Sequence, residues 1–149
     1  MEPSHLSYAQ QFPVNPVWFA LGFPLFWGLT TYLLGEASGW RNIHAHFGNP
    51  PGPLPAGRSF RSGRIGPVKY NGVLRIAHDG SGLHLAVLFP FRIGHPPLFI
   101  PWSSIGPAIR TKEVGTELIK FNVGRPSMAT LELYPSDLKG TALDSDARA

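Results

Sequence analysis

From Gln11 to Gly35 the chain carries no charged side chain: QFPVNPVWFALGFPLFWGLTTYLLG. Its apolar part, Val14 to Leu34, is as long as a helix needs to be to cross a hydrocarbon core of roughly 30 Å at roughly 1.5 Å per residue. A secretory signal would carry positive charge ahead of its apolar region. Residues 1 to 40 hold no Lys or Arg, only Glu2 and Glu36, and no small-residue cleavage site follows. A core helix of a soluble fold would show a polar stripe, and this segment offers only Thr30 and Thr31. The segment therefore reads as one membrane-spanning helix, residues 14–40 with its exit, preceded by a short extracytoplasmic stretch, residues 1–13.

Within the span, Pro24 lacks an amide hydrogen and crowds the preceding turn, so a kink is expected there. Gly22 and Gly28 leave flat places where another helix can approach. Trp18 at one end, with Tyr32 and Trp40 at the other, suits the interfacial aromatic belts. Phe19, Phe23, Phe26 and Trp27 complete the surface expected to meet lipid or a partner helix. Pigment could be touched there only by packing, since no His lies inside the span to ligate a chlorophyll magnesium.

Charge sets the orientation. Arg41, Arg58, Arg61, Arg64, Lys69 and Arg75 follow the span with no acidic residue among them, whereas beyond residue 75 seven basic residues face seven acidic ones. The excess places the C-terminal side in the cytoplasm and the N-terminus outside. Arg41, Arg58, Arg61, Arg64 and Lys69, with the H-x-H pair His44 and His46, are candidate contacts to anionic headgroups or to a partner's surface. Nucleic acid is not expected, because no recognition motif accompanies this belt. With no cysteine in the chain, disulfides, thiolate catalysis and cysteine-bound metals are excluded.

After the span, residues 41–57 read as a basic, then Pro- and Gly-rich linker. Pro50, Pro51, Pro53 and Pro55 with Gly48, Gly52 and Gly57 leave too few donors for helix or sheet. Residues 58–143 then show strand signals at short intervals. Val68 to His78 and Leu83 to Phe89 flank Asp79-Gly80-Ser81-Gly82 as a hairpin. Further strands are expected at Ser59 to Ile65, Leu98 to Trp102, Ala108 to Lys112, Glu117 to Val123 and Met128 to Tyr134. Leu118, Phe121, Val123, Leu131 and Leu133 are candidate core residues. Six or seven short strands favour a small antiparallel β-barrel or sandwich. Pro135 to Leu143 fits one or two helical turns, and the tail, residues 144–149, shows no signal.

The most distinctive string is FRIGHPPLFIPWSSI, Phe91 to Ile105. With Ser38-Gly39-Trp40 it resembles a group of uncharacterised bacterial single-pass membrane proteins that share an FRxGHPPLxIPW string. The resemblance covers most of residues 15 to 110 and implies no established activity. Arg92, His95, Pro96, Pro97 and Trp102 are its residues of unassigned role. The strand, Ile-Pro-Trp-Ser-Ser-Ile turn and following strand also resemble bacterial PH or GRAM-like barrels. In outline, the chain is similar to single-pass accessory subunits of bacterial photosynthetic reaction-centre and light-harvesting complexes.

His95 is the one candidate for chemistry, yet it sits between Gly94 and Pro96 with no nucleophile motif, and a turn-forming or hydrogen-bonded role is expected instead. His44 and His46 alone are too few ligands for a metal. The expectation is a non-catalytic accessory subunit without a cofactor of its own, set among integral membrane subunits and lipids. The alternative is a membrane-anchored module that binds anionic lipid.

Overall fold

The computed structural model describes residues 15–148. The expected extracytoplasmic stretch, Val14 and the last residue of the tail lie outside them. The first element, α1, runs Pro16–Ala37 and is long and apolar enough to cross a membrane. Asn15 caps it, its side-chain oxygen accepting from the Val17 amide at 3.0 Å, and Pro16 occupies the first turn, where no amide is needed. The two threonines of α1 donate to their own helix: Thr30 to the Phe26 carbonyl at 2.8 Å, and Thr31 to the Trp27 and Gly28 carbonyls, each at 3.0 Å. Both threonine hydroxyls are thus satisfied within the helix.

The chain turns at Ser38 and Gly39 into a second helix, α2, Trp40–Phe47. The linker expected over residues 41–57 therefore begins only at Gly48. Trp40 and Ile43 are fully buried and Phe47 packs beside them, so one face of this short helix belongs to the core. Gly39, at φ 77°, takes the left-handed conformation that makes the break between the helices possible.

Seven strands follow: β1 Gly57–Ile65, β2 Val68–His78, β3 Gly82–Val87, β4 Leu98–Pro101, β5 Ile109–Glu113, β6 Thr116–Val123 and β7 Ala129–Leu133. They form one antiparallel sheet in the order β4-β3-β2-β1-β7-β6-β5. The end strands β4 and β5 do not pair with each other, so the sheet is open and sandwich-like rather than a closed barrel. An isolated bridge, Ile105 to Val123, ties the β4–β5 connection to β6. Pro101 ends β4 on the edge, where a missing amide costs no ladder bond.

One core joins both halves of the sheet: Leu74, Leu83, Leu85, Leu98 and Ile100 on one side, and Ile119, Phe121, Leu131 and Leu133 on the other. On β6 the inward set is Ile119, Phe121 and Val123, in strict alternation. Leu118, expected in the core, is buried but stands outside that cluster. The tail is also part of the fold, since α3, Ala142–Asp146, seats Leu143 in the core. Its Asp144 is buried between Arg110 at 3.1 Å and Arg148 at 2.7 Å.

Candidate functional site

The C-terminal half of α1 does not leave the β-domain behind. It is seated along the loop between β3 and β4, residues 88–97, which holds the first seven residues of the distinctive string. The backbones meet at two glycines. A Cβ on Gly35 would lie 2.4 Å from the Gly94 carbonyl oxygen, and one on Gly94 would lie 2.7 Å from the Tyr32 Cα. Higher on the helix, the Ile93 side chain comes within 3.5 Å of where a Gly28 Cβ would stand. There the Trp27 indole donates to the Pro90 carbonyl at 3.3 Å and its ring lies 5.0 Å from Phe91.

Beneath this seam is a buried polar cluster. Tyr70 Oη stands 2.9 Å from His95 Nε2 and 3.0 Å from Ser38 Oγ. His95 Nδ1 lies 3.0 Å from the Ile93 carbonyl, which can only accept. The neutral ring therefore carries its proton on Nδ1, and Nε2 accepts from the Tyr70 hydroxyl. Ser38 Oγ accepts from the Trp40 amide at 3.2 Å and stands 3.1 Å from the Gly35 carbonyl, closing the α1–α2 corner; with the Tyr70 proton on His95, the single Ser38 proton is shared between the Tyr70 oxygen and that carbonyl. The Trp40 indole donates to the Pro96 carbonyl at 2.6 Å, its ring standing edge-on to His95 at 5.2 Å, and His44 Nδ1 meets the Pro97 carbonyl at 3.0 Å. Burial pushes the His95 imidazole below, and the Tyr70 phenol above, their ordinary values.

The string thus divides by role. Gly94, His95, Pro96 and Pro97 form the seat for the two helices. Leu98 to Pro101 is the edge strand. Trp102 clasps the β2–β3 turn, its indole donating to the Asp79 carbonyl at 2.8 Å. Arg92 Nε donates to the Val87 carbonyl at 3.1 Å. Between α1 and β2 a largely apolar cleft of about 250 Å³ is lined by Thr31, Leu34, Val68, Tyr70, Phe91 and His95, with exposed Lys69 and Asn71 at its rim.

The other expected contacts are scattered. Trp18, Phe19, Phe23, Phe26 and Tyr32 are exposed on α1, and Gly22 faces open space, while Trp27 and Gly28 are engaged by the loop. Phe19, Phe23 and Trp27 stack in a row, at 5.4 and 6.0 Å. Arg41 pairs with Glu36 and Tyr32 at the helix exit. His46 is exposed and packs edge-on against Phe47. The basic belt falls into two groups, Arg58 and Arg61 beside Ser136, and Arg64 opposite Lys69 on the β1–β2 pair. Arg61 binds buried Asp137 at 2.6 Å, Arg64 faces Glu113 at 3.2 Å and Glu132 at 4.0 Å, and Arg58 reaches the Ser136 carbonyl at 3.4 Å. Among the described residues, Lys69 has no ion pair.

Sequence reasoning missed Ser38, Tyr70 and the Gly35–Gly94 contact as parts of one site, because nothing local links positions so far apart. Helix α2 did carry a signal, since Trp40, Ile43 and Phe47 recur at i, i+3 and i+7. Comparison with known proteins finds no match to a family model, a curated protein or a solved structure.

Proposed function

We propose that the protein is a non-catalytic, single-pass subunit of a larger assembly in a bacterial inner or intracytoplasmic membrane. Its helix packs on integral partners and its β-domain braces their cytoplasmic face. The observation that carries this reading is the seating of α1. Two glycine contacts and the Ser38–Tyr70–His95 cluster fix the helix to the domain, while the rest of the helix surface is left bare, with Trp18 72 % and Leu25 75 % exposed. A merely tethering helix has no need of such a joint, whereas a brace that holds a partner at a set angle requires it. Orientation rests on the six basic residues that follow the span.

His95 supports the same reading, because both its ring nitrogens are used in holding the joint. The lipid-headgroup alternative has less to stand on, since Arg61 and Arg64 spend their charge on acids of the domain.

Purification of the tagged chain from its native membrane in mild detergent, with mass spectrometry and an absorption spectrum, tests the proposal. A stoichiometric complex with integral subunits is expected, and near-infrared pigment bands would make the partner the photosynthetic assembly that the outline resembles. Gly22→Leu, at a position with open space around it, should weaken that complex without unfolding the chain. A chain that emerges alone with anionic lipid would contradict the proposal and favour the headgroup-binding module.

A further inference from the structure

We propose that the turn from Leu88 to His95 is a second membrane attachment: an apolar prong that lies beside α1 within the lipid of the cytoplasmic leaflet. This rests on reading α1 as the spanning helix. The contacts already described give the turn a level on that helix. Gly94 meets Gly35 and Tyr32, Ile93 meets Gly28, and Pro90 and Phe91 meet Trp27. From Gly35 to Trp27 is about 12 Å along the axis at roughly 1.5 Å per residue. The 22 residues of α1 make about 33 Å of helix, little more than a hydrocarbon core of roughly 30 Å demands. A turn held beside Trp27 therefore stands well inside the bilayer whenever α1 spans it.

The turn has the surface for that place. Phe89 is 84 % exposed and Ile93 49 %, and Pro90 beside them is exposed too. Pro90 and Pro96 have no amide hydrogen to satisfy. The Phe91 amide donates to the Leu88 carbonyl and the His95 amide to the Arg92 carbonyl, both at 2.9 Å, while the Pro90 carbonyl takes the Trp27 indole. The Phe89, Arg92, Ile93 and Gly94 amides have no acceptor among the described residues and would take one from water or headgroups at the leaflet's edge. Arg92, the one charged residue of the turn, is exposed and unpaired by any acid among the described residues; its Nε donates to the Val87 carbonyl at the end of β3, and its guanidinium must snorkel to the headgroup level. Polar side chains return nearer the helix exit, where Lys69 and Asn71 rim the cleft beside Thr31 and Leu34. Apolar tip and cationic base, on the same scale as the leaflet, fit lipid as the occupant.

The cysteine-free chain suits site-directed spin labelling. Full-length protein with Phe89→Cys, Leu25→Cys or Val114→Cys is labelled with a nitroxide and reconstituted in phosphatidylcholine–phosphatidylglycerol vesicles. Collision with oxygen, enriched in lipid, is compared with collision with a water-soluble nickel chelate. Leu25 marks the span, and Val114, 99 % exposed at the β5–β6 turn, marks the aqueous domain. We expect position 89 to share the high oxygen and low nickel accessibility of position 25, opposite to position 114. Nickel access at 89 with oxygen access at 25 overturns the prong and leaves the span intact. Nickel access at 25 overturns the span and the prong together. A label at 89 shielded from both reagents means protein covers the tip, which also overturns lipid as its occupant.

Discussion

His95 is buried at 4 % exposure with Tyr70 on one nitrogen and the Ile93 carbonyl on the other. Because its folded pKa lies below the ordinary 6.5, the unfolded chain binds more protons between the two values. Its stabilising contribution is full above the unfolded value and is lost as pH falls toward the folded one. Denaturation of the full chain in micelles between about pH 7 and pH 5 should therefore show stability falling with acidity, with a shallower fall for His95→Asn; equal slopes would remove His95 as the cause. Sterics act at the same scale. Gly35→Ala forces a methyl against the Gly94 carbonyl and should cost about 1–3 kcal/mol by thermal melts, whereas Gly22→Ala, with nothing within 4 Å, should leave the melt unmoved. At Arg61 the partner is Asp137, whose side chain is fully buried with one oxygen already unpaired. Arg61→Ala should cost about 1–3 kcal/mol, and Asp137→Ala on top of it should add less than it does alone, read by a double-mutant cycle.

At the scale of elements, the strands were the legible part. Val68 to His78 appears as expected to the residue, and the other strands lie within two residues of their sequence-based bounds at each end. Period-two patterning bounded by Gly and Pro is a local signal, which is why it survives without tertiary information. Helix α2 was hidden because its eight residues, only two turns, lie between the long apolar helix and a proline-rich segment. The weight it carries is testable. Trp40→Ala removes a fully buried indole and its bond to Pro96, and should cost about 3–5 kcal/mol in denaturant titration of the full chain. A loss below about 1 kcal/mol would mean that α2 is not part of the core.

For the whole molecule, one long apolar helix and one β-domain were plain in the sequence, because a charge-free run of this length and seven short strands each answer to a single physical rule. The joint between them was not legible. It is assembled from Gly35, Ser38, Trp40, Tyr70, Gly94 and His95, which only the folded chain brings together. In the proposed function, that joint makes helix and domain a single brace, and the bare face of α1 is where a partner would meet it. A photoreactive residue introduced at position 22, activated in the native membrane, tests this most directly. The account expects a discrete adduct with an integral membrane protein, absent when the same residue is placed at position 114. Adducts with lipid alone at position 22 would contradict it.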